Sequence, residues 1–251
     1  MRLDSRRASG FFLLLALLGL WQMSAMWWVN SPNWPTVVVI LQALVSGLKS
    51  GEILEVFGSS VWRMVVGYAA GSLVGVAIGL LMARQRWIHA ALTPLVELLR
   101  PIPMPAIVPP LILLLGIDHA MKIFAVAFAT FFPVLVNTVG GVRSVDGVML
   151  DVARTFQTGR TRAVLKVVLP AAMPYIFAGL RTSLALALIV TVVAEMIAGS
   201  EGIGYYVMTM QYAMRAADMY AAIFLLACLG YLLNTATLLV ERKVLHWYQR
   251  S

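Results

Sequence analysis

Five stretches of this chain contain no Asp, Glu, Lys or Arg: 8–48, 64–83, 101–117, 123–142 and 219–240. An ionised side chain at the centre of a bilayer costs several kcal/mol, and about 17–25 apolar residues cross the hydrocarbon as a helix. Uncharged intervals of this length therefore mark membrane spans. A sixth apolar stretch, 167–194, is interrupted only by Arg181 and ends at Glu195. The pattern predicts an all-α, polytopic membrane protein forming one domain over 1–251. Its spans are expected near 11–29, 61–83, 101–117, 121–142, 173–197 and 219–240. In the first interval Asn30, Ser31, Pro32, Asn33 and Pro35 favour a turn. The following 36–48 is too short to cross at 1.5 Å per residue and reads as an interfacial helix. A cleaved signal peptide is the alternative at the N-terminus, since Arg2, Arg6 and Arg7 precede an apolar run. Met23-Ser24-Ala25 lacks a small residue at its first position, however, and Trp27 and Trp28 read as an interfacial anchor.

Composition excludes the soluble classes. Hydrophobic residues make up 61% and charged residues 12% of the 251, against about half and a quarter in soluble domains. The net charge of +8 invites a nucleic-acid reading, but the basic residues are placed otherwise. Fourteen of the 19 Lys and Arg fall in the segments that share a side with the N-terminus, a positive-inside bias that puts both termini in the cytoplasm. Lys49, Arg63, Lys122 and Arg215 are assigned to the outer side, and Arg181 to an inner helix end where it can snorkel. Cys228 is the sole cysteine, and His89, His119 and His246 are far apart, so neither a disulfide nor a metal site is suggested. No phosphate-binding G-x-x-x-x-G-K-[ST], H-E-x-x-H or G-x-S-x-G motif is present. The chain reads as a transport subunit without catalytic residues or a bound cofactor.

Several helix features have two readings. Gly67, Gly71, Gly75 and Gly79 follow a four-residue period, which leaves one helix ridge bare for close packing, static or sliding. The run Arg100-Pro101-Ile102-Pro103-Met104-Pro105 removes amide donors and predicts a broken helix. Pro101 and Pro103 thus mark either a pathway wall or a kinked helix entry. Glu195 lies about 21 Å from Arg181 along one helix, too far to pair. It is expected to face the bundle, bonded to a neighbouring helix or serving a proton relay. The outer loop with Gly199, Gly202 and Gly204 leads into Tyr205 and Tyr206 and reads as a gate or an aromatic anchor, not as a phosphate cradle.

The loop 143–170 is the longest on the inner side. Its core, Asp151-Val152-Ala153-Arg154-Thr155-Phe156-Gln157-Thr158-Gly159-Arg160-Thr161-Arg162, sets one aromatic side chain amid charge. Such a segment suits a groove on a soluble partner or else is a solvated topology signal.

This loop resembles the permease signature of ATP-binding-cassette importers: Glu-Ala-Ala, three residues, Gly, nine residues, Ile, one residue, Leu-Pro. Here the positions are Asp151, Val152 and Ala153, then Gln157, then Val167, Leu169 and Pro170. Arg100-Pro101-Ile102-Pro103, Gly179-Leu180-Arg181, Ala194-Glu195-Met196 and Gly202-Ile203-Gly204 extend the similarity to permeases of the nitrate, taurine and sulfonate uptake group. The resemblance implies a MetI-like bundle in the bacterial inner membrane, coupled to an ATPase through Asp151, Ala153, Phe156, Gln157, Gly159, Leu169 and Pro170. It also implies a second permease copy as a homodimer, two cytoplasmic ATPase subunits that hold ATP and Mg, and an extracytoplasmic solute-binding protein. The solute would be a sulfonate, taurine, a nitrate-like anion or a vitamin precursor. The signature glycine is Gln157 in this chain. Either the backbone stays left-handed there, at about 1 kcal/mol relative to Gly, or the break moves to Gly159. An ion-coupled secondary transporter or channel is the alternative, but it calls for intramembrane acids and an internal repeat, and Glu195 alone answers to the first.

Overall fold

Helices account for nearly all of the computed structural model, which describes residues 2–29, 31–199 and 201–246. Asn30 of the expected turn, Ser200 of the glycine-rich loop and Arg250 of the basic C-terminus lie outside the described residues. The helices are α1 (Arg2–Ser24, continued by a π-turn over Ala25–Val29), α2 (Val37–Ser50), α3 (Glu52–Arg84), α4 (Arg86–Leu99) and α5 (Met104–Leu115). They continue with α6 (His119–Arg143), α7 (Gly147–Thr155), α8 (Arg160–Ala163), α9 (Leu169–Ala198), α10 (Ile203–Tyr212) and α11 (Ala216–Val244). Five described helices are long and apolar enough to span, and six if α4 and α5 together count as one.

Two expected boundaries change. The helix predicted over 61–83 begins at Glu52, nine residues earlier, because Gly51 (φ 80°) both caps α2 and opens α3. At about 50 Å, α3 exceeds the hydrocarbon thickness of about 30 Å. The expected third span, 101–117, shortens to one helix, α5, and the break expected from the proline run lies at its start. α4 and α5 meet at a 100° bend, and α5, with 12 residues, is too short to cross alone. Pro103 is the cause: it disfavours helical backbone at Ile102 and itself sits extended (φ −69°, ψ 132°) as the N-cap of α5. Pro105 then falls in the first turn, where a missing N–H costs nothing.

α6 is the central post, between α3 and α9. A Cβ on Gly67 would come within 2.7 Å of the Ile123 carbonyl oxygen, one on Gly75 within 2.9 Å of that of Phe131, and one on Gly79 within 3.1 Å of that of Leu135. At Gly71 it would collide with the Ala127 carbonyl and Thr130 Oγ1. Four bare positions on α3 thus meet four successive turns of α6, backbone against backbone. Gly179 gives α9 the same approach to Pro133. Met64, Val108, Val126, Val190 and Ala194 fill the core between α3, α5, α6 and α9. A smaller cluster of Ile53, Ile203, Tyr206 and Ala222 seats α10 against α3 and α11.

α1 is fastened at its end. Trp21 stacks on Trp34 with centroids 4.4 Å apart, and Tyr220 of α11 meets Trp21 edge-on. Trp21 Nε1 donates to the Pro35 carbonyl (3.0 Å) and Trp34 Nε1 to Ser24 Oγ (3.0 Å). Thr36 caps α2 by accepting from the Val39 amide.

Candidate functional site

Glu195 is completely buried in the last turn of α9. A carboxylate so far from water needs charge compensation and several donors, and α3 and α10 supply them. Arg63 Nη2 of α3 donates to Oε1 at 2.8 Å, the Ser60 hydroxyl lies 2.8 Å from both oxygens, and the Gly204 amide donates to Oε2 at 3.0 Å. Ser60 Oγ also accepts from the Ile203 amide at 2.8 Å. Gly202 (φ 104°) has no room for a Cβ because the Glu195 carboxyl fills that space, and a Cβ on Gly204 would strike the Val192 carbonyl. Gly202 and Gly204 therefore close over Glu195.

The sequence assigned Arg63 and Lys122 to outer segments, but both are fully buried. Arg63 Nη1 donates to Glu201 Oε1 (2.5 Å) and lies 3.0 Å from His119 Nδ1, and its Nη2 also reaches Ser59 Oγ (3.1 Å). Lys122 Nζ lies 3.8 Å from Glu201 Oε1 and 3.4 Å from the Glu201 carbonyl. Sequence reasoning missed Ser60, Arg63, Lys122 and Glu201. A usable signal is present: a cation within reach of an apolar helix needs an acid, and a bundle-facing Glu195 calls for a polar partner or water. Arg181, assigned to an inner helix end, pairs with Glu241 of α11 and keeps 40% of its side chain exposed.

A cavity of about 370 Å³ opens beside the α4–α5 bend, between α5, α6 and α9. Pro101 and Pro103 do not line it; their neighbours Arg100, Ile102 and Met104 do. Phe128, Phe132, Leu186 and Val190 give an apolar wall, and Asn137 and Thr182 add polar atoms.

Asp151 is exposed on α7, Ala153 is buried, and Phe156 follows the helix with 79% of its surface exposed. Gln157 adopts φ 51° and Gly159 is not left-handed, so the break stays at 157 and has not moved to 159. The Thr158 amide bonds the Ala153 carbonyl (3.0 Å), the closure of a helix ending on a left-handed residue. Leu169 and Pro170 are not in the loop. They form the first turn of α9, to which α8 and a π-turn over Val164–Val168 lead directly.

The family described as "Binding-protein-dependent transport system inner membrane component" matches residues 75–246. The chain belongs to this family. The permease is 34% identical over 239 residues to the "Putative aliphatic sulfonates transport permease protein SsuC" of Bacillus subtilis (strain 168), covering 95% of this chain and 87% of that one. It is 30% identical over 200 residues to the "Bicarbonate transport system permease protein CmpB" of Synechococcus elongatus (79% and 72% covered). In fold it matches a chain from "Inward facing conformations of the MetNI methionine ABC transporter" with a TM-score of 0.67 at 17% identity, over 76% of this chain and 95% of that one. This permease is thus a multi-pass transport subunit of the ATP-binding-cassette importer class. Membership implies an ATPase and a solute-binding protein as partners.

Proposed function

We propose that this permease, as a homodimer, imports a small oxyanion of the sulfonate or bicarbonate type, driven by two cytoplasmic ATPase subunits that hold ATP and Mg. The observation that carries the substrate class is the 34% identity, across 95% of this chain, to a relative named for aliphatic sulfonates. The cavity at the α4–α5 bend agrees with it chemically. One guanidinium, one amide and one hydroxyl beside an aromatic and aliphatic wall suit a charged headgroup on a short apolar tail. In this scheme the bend with Pro101 and Pro103 is a wall of the pathway. The termini and the α7–α8 loop face the cytoplasm, by the distribution of Lys and Arg, and an extracytoplasmic binding protein delivers solute to the opposite end.

Coupling runs through Asp151, Ala153, Phe156, Gln157 and Gly159. The exposed Phe156 ring enters an ATPase groove, and the left-handed turn at Gln157 fixes its direction. Docking must be tighter in one of the two bundle states, since a partner that binds both equally shifts neither. The test is ethanesulfonate uptake into proteoliposomes holding permease, ATPase and binding protein. Phe156→Asp is expected to cut uptake about tenfold or more, equivalent to about 1.4 kcal/mol of lost coupling. Uptake without ATP, or wild-type uptake by the variant, overturns the scheme.

A further inference from the structure

Glu195 and Glu201 share Arg63 but differ in every other respect. Glu195 is sealed in by Arg63, Ser60 and the Gly204 amide. Glu201 leaves 47% of its side chain exposed while it faces two fully buried cations, Arg63 and Lys122. It is carried outside any helix, between Gly199 and Gly202, both at positive φ, so its displacement breaks no helical ladder. Glu195 pairs with Arg63, Glu201 faces both cations, and the nearby Asp118 also attracts Lys122. Nor is the guanidinium saturated: Arg63 Nε is buried without a hydrogen-bond partner. His119 Nδ1, at the exposed rim, lies 3.2 Å from the same Glu201 oxygen.

A half-exposed carboxylate over buried cations is replaceable by any other singly charged oxyanion, because the exchange leaves the charge of the pocket unchanged. A neutral or cationic solute is disfavoured there, since it would displace the carboxylate that faces both buried cations without replacing its charge. We propose that Arg63, Lys122 and His119 form an oxyanion-receiving site in which Glu201 is a resident stand-in, displaced by the headgroup of the arriving solute. The proposal rests on the solute being an oxyanion, and in the topology proposed above the site faces the binding protein.

The full-length chain in phosphatidylcholine nanodiscs is titrated with ethanesulfonate, followed by the emission of Trp62, which meets the His119 ring edge-on at 6.0 Å; Trp62→Phe identifies the signal. Glu201→Gln, once its helical circular dichroism and unfolding midpoint in nanodiscs verify a folded protein, is expected to bind ethanesulfonate about tenfold tighter than wild type, because its internal competitor is gone. Adding Lys122→Gln, or His119→Ala at the exposed rim, is expected to reverse most of that gain, and tetramethylammonium to give no response. An affinity of Glu201→Gln within about twofold of wild type, or a gain that survives both second changes, overturns the proposal. Repeating the titration with phosphatidylglycerol separates solute from lipid phosphate. Unchanged binding supports the solute, and its loss hands the site to a headgroup and refutes the assignment. No ATPase is present, so failure here leaves the import scheme standing, whereas ATP-independent uptake removes that scheme without touching this result.

Discussion

Glu195→Gln changes one atom of a buried side chain and isolates what the α3–α9 ion pair contributes. In the native protein donors approach both carboxylate oxygens: Arg63 Nη2 at Oε1, the Gly204 amide at Oε2, and the Ser60 hydroxyl at both. Either amide rotamer therefore turns an NH2 group toward a donor, so at least one hydrogen bond is lost and Arg63 keeps only the half-exposed Glu201 as counter-ion. Breaking a buried pair by removing one partner costs about 3–5 kcal/mol. For a chain of this size each kcal/mol moves the midpoint by about 2–4 °C, so the unfolding temperature in nanodiscs should fall by about 6–20 °C. Combining the change with Arg63→Met removes both charges and should recover part of the loss, since apolar replacement of a whole pair is often neutral. A Glu195→Gln midpoint within about 2 °C of wild type, or a double variant that falls by the sum of the two single losses, would refute the ion pair as a stabilising joint between these helices.

Gly71→Ala places a methyl group against the Ala127 carbonyl and Thr130 Oγ1 and should destabilise by about 1–3 kcal/mol through overpacking. Gly58→Ala on the same helix, where a Cβ meets nothing within 4 Å, should instead stabilise by up to about 1 kcal/mol through helix propensity; thermal midpoints of the two variants check the contrast. Gln157→Gly relieves the left-handed backbone at φ 51° and should stabilise by about 1 kcal/mol, read as a rise of about 2–4 °C in the unfolding midpoint.

Much of the architecture was legible because its cause is local. Lipid penalises each charge independently of any partner, so the uncharged stretches located the spans without knowledge of their neighbours. The glycine ridge at 67, 71, 75 and 79 was visible for a similar reason, as a period within one helix, although only the structure gives α6 as the helix it meets. The errors cluster where a residue depends on something distant in sequence. Arg63 and Lys122 read as outer-side residues because a charge near the edge of an apolar run normally lies in water. Their partners Glu195 and Glu201 are separated from them by 79 to 138 residues, and although a cation near an apolar run calls for an acid, no local pattern says which acid meets it.

The sequence by itself determined that this chain crosses a membrane several times, breaks near Pro103 and offers Phe156 at a turn, since hydropathy, proline stereochemistry and short-range spacing are properties of the chain alone. Tertiary structure alone decided that two cations join Glu195 inside the bundle, that Gly202 and Gly204 are the clasp over that acid, and that the cavity opens onto Arg100 and not onto the adjacent prolines. Whether a charge is exposed or neutralised is set by what the other helices bring to it, and that is a property of packing.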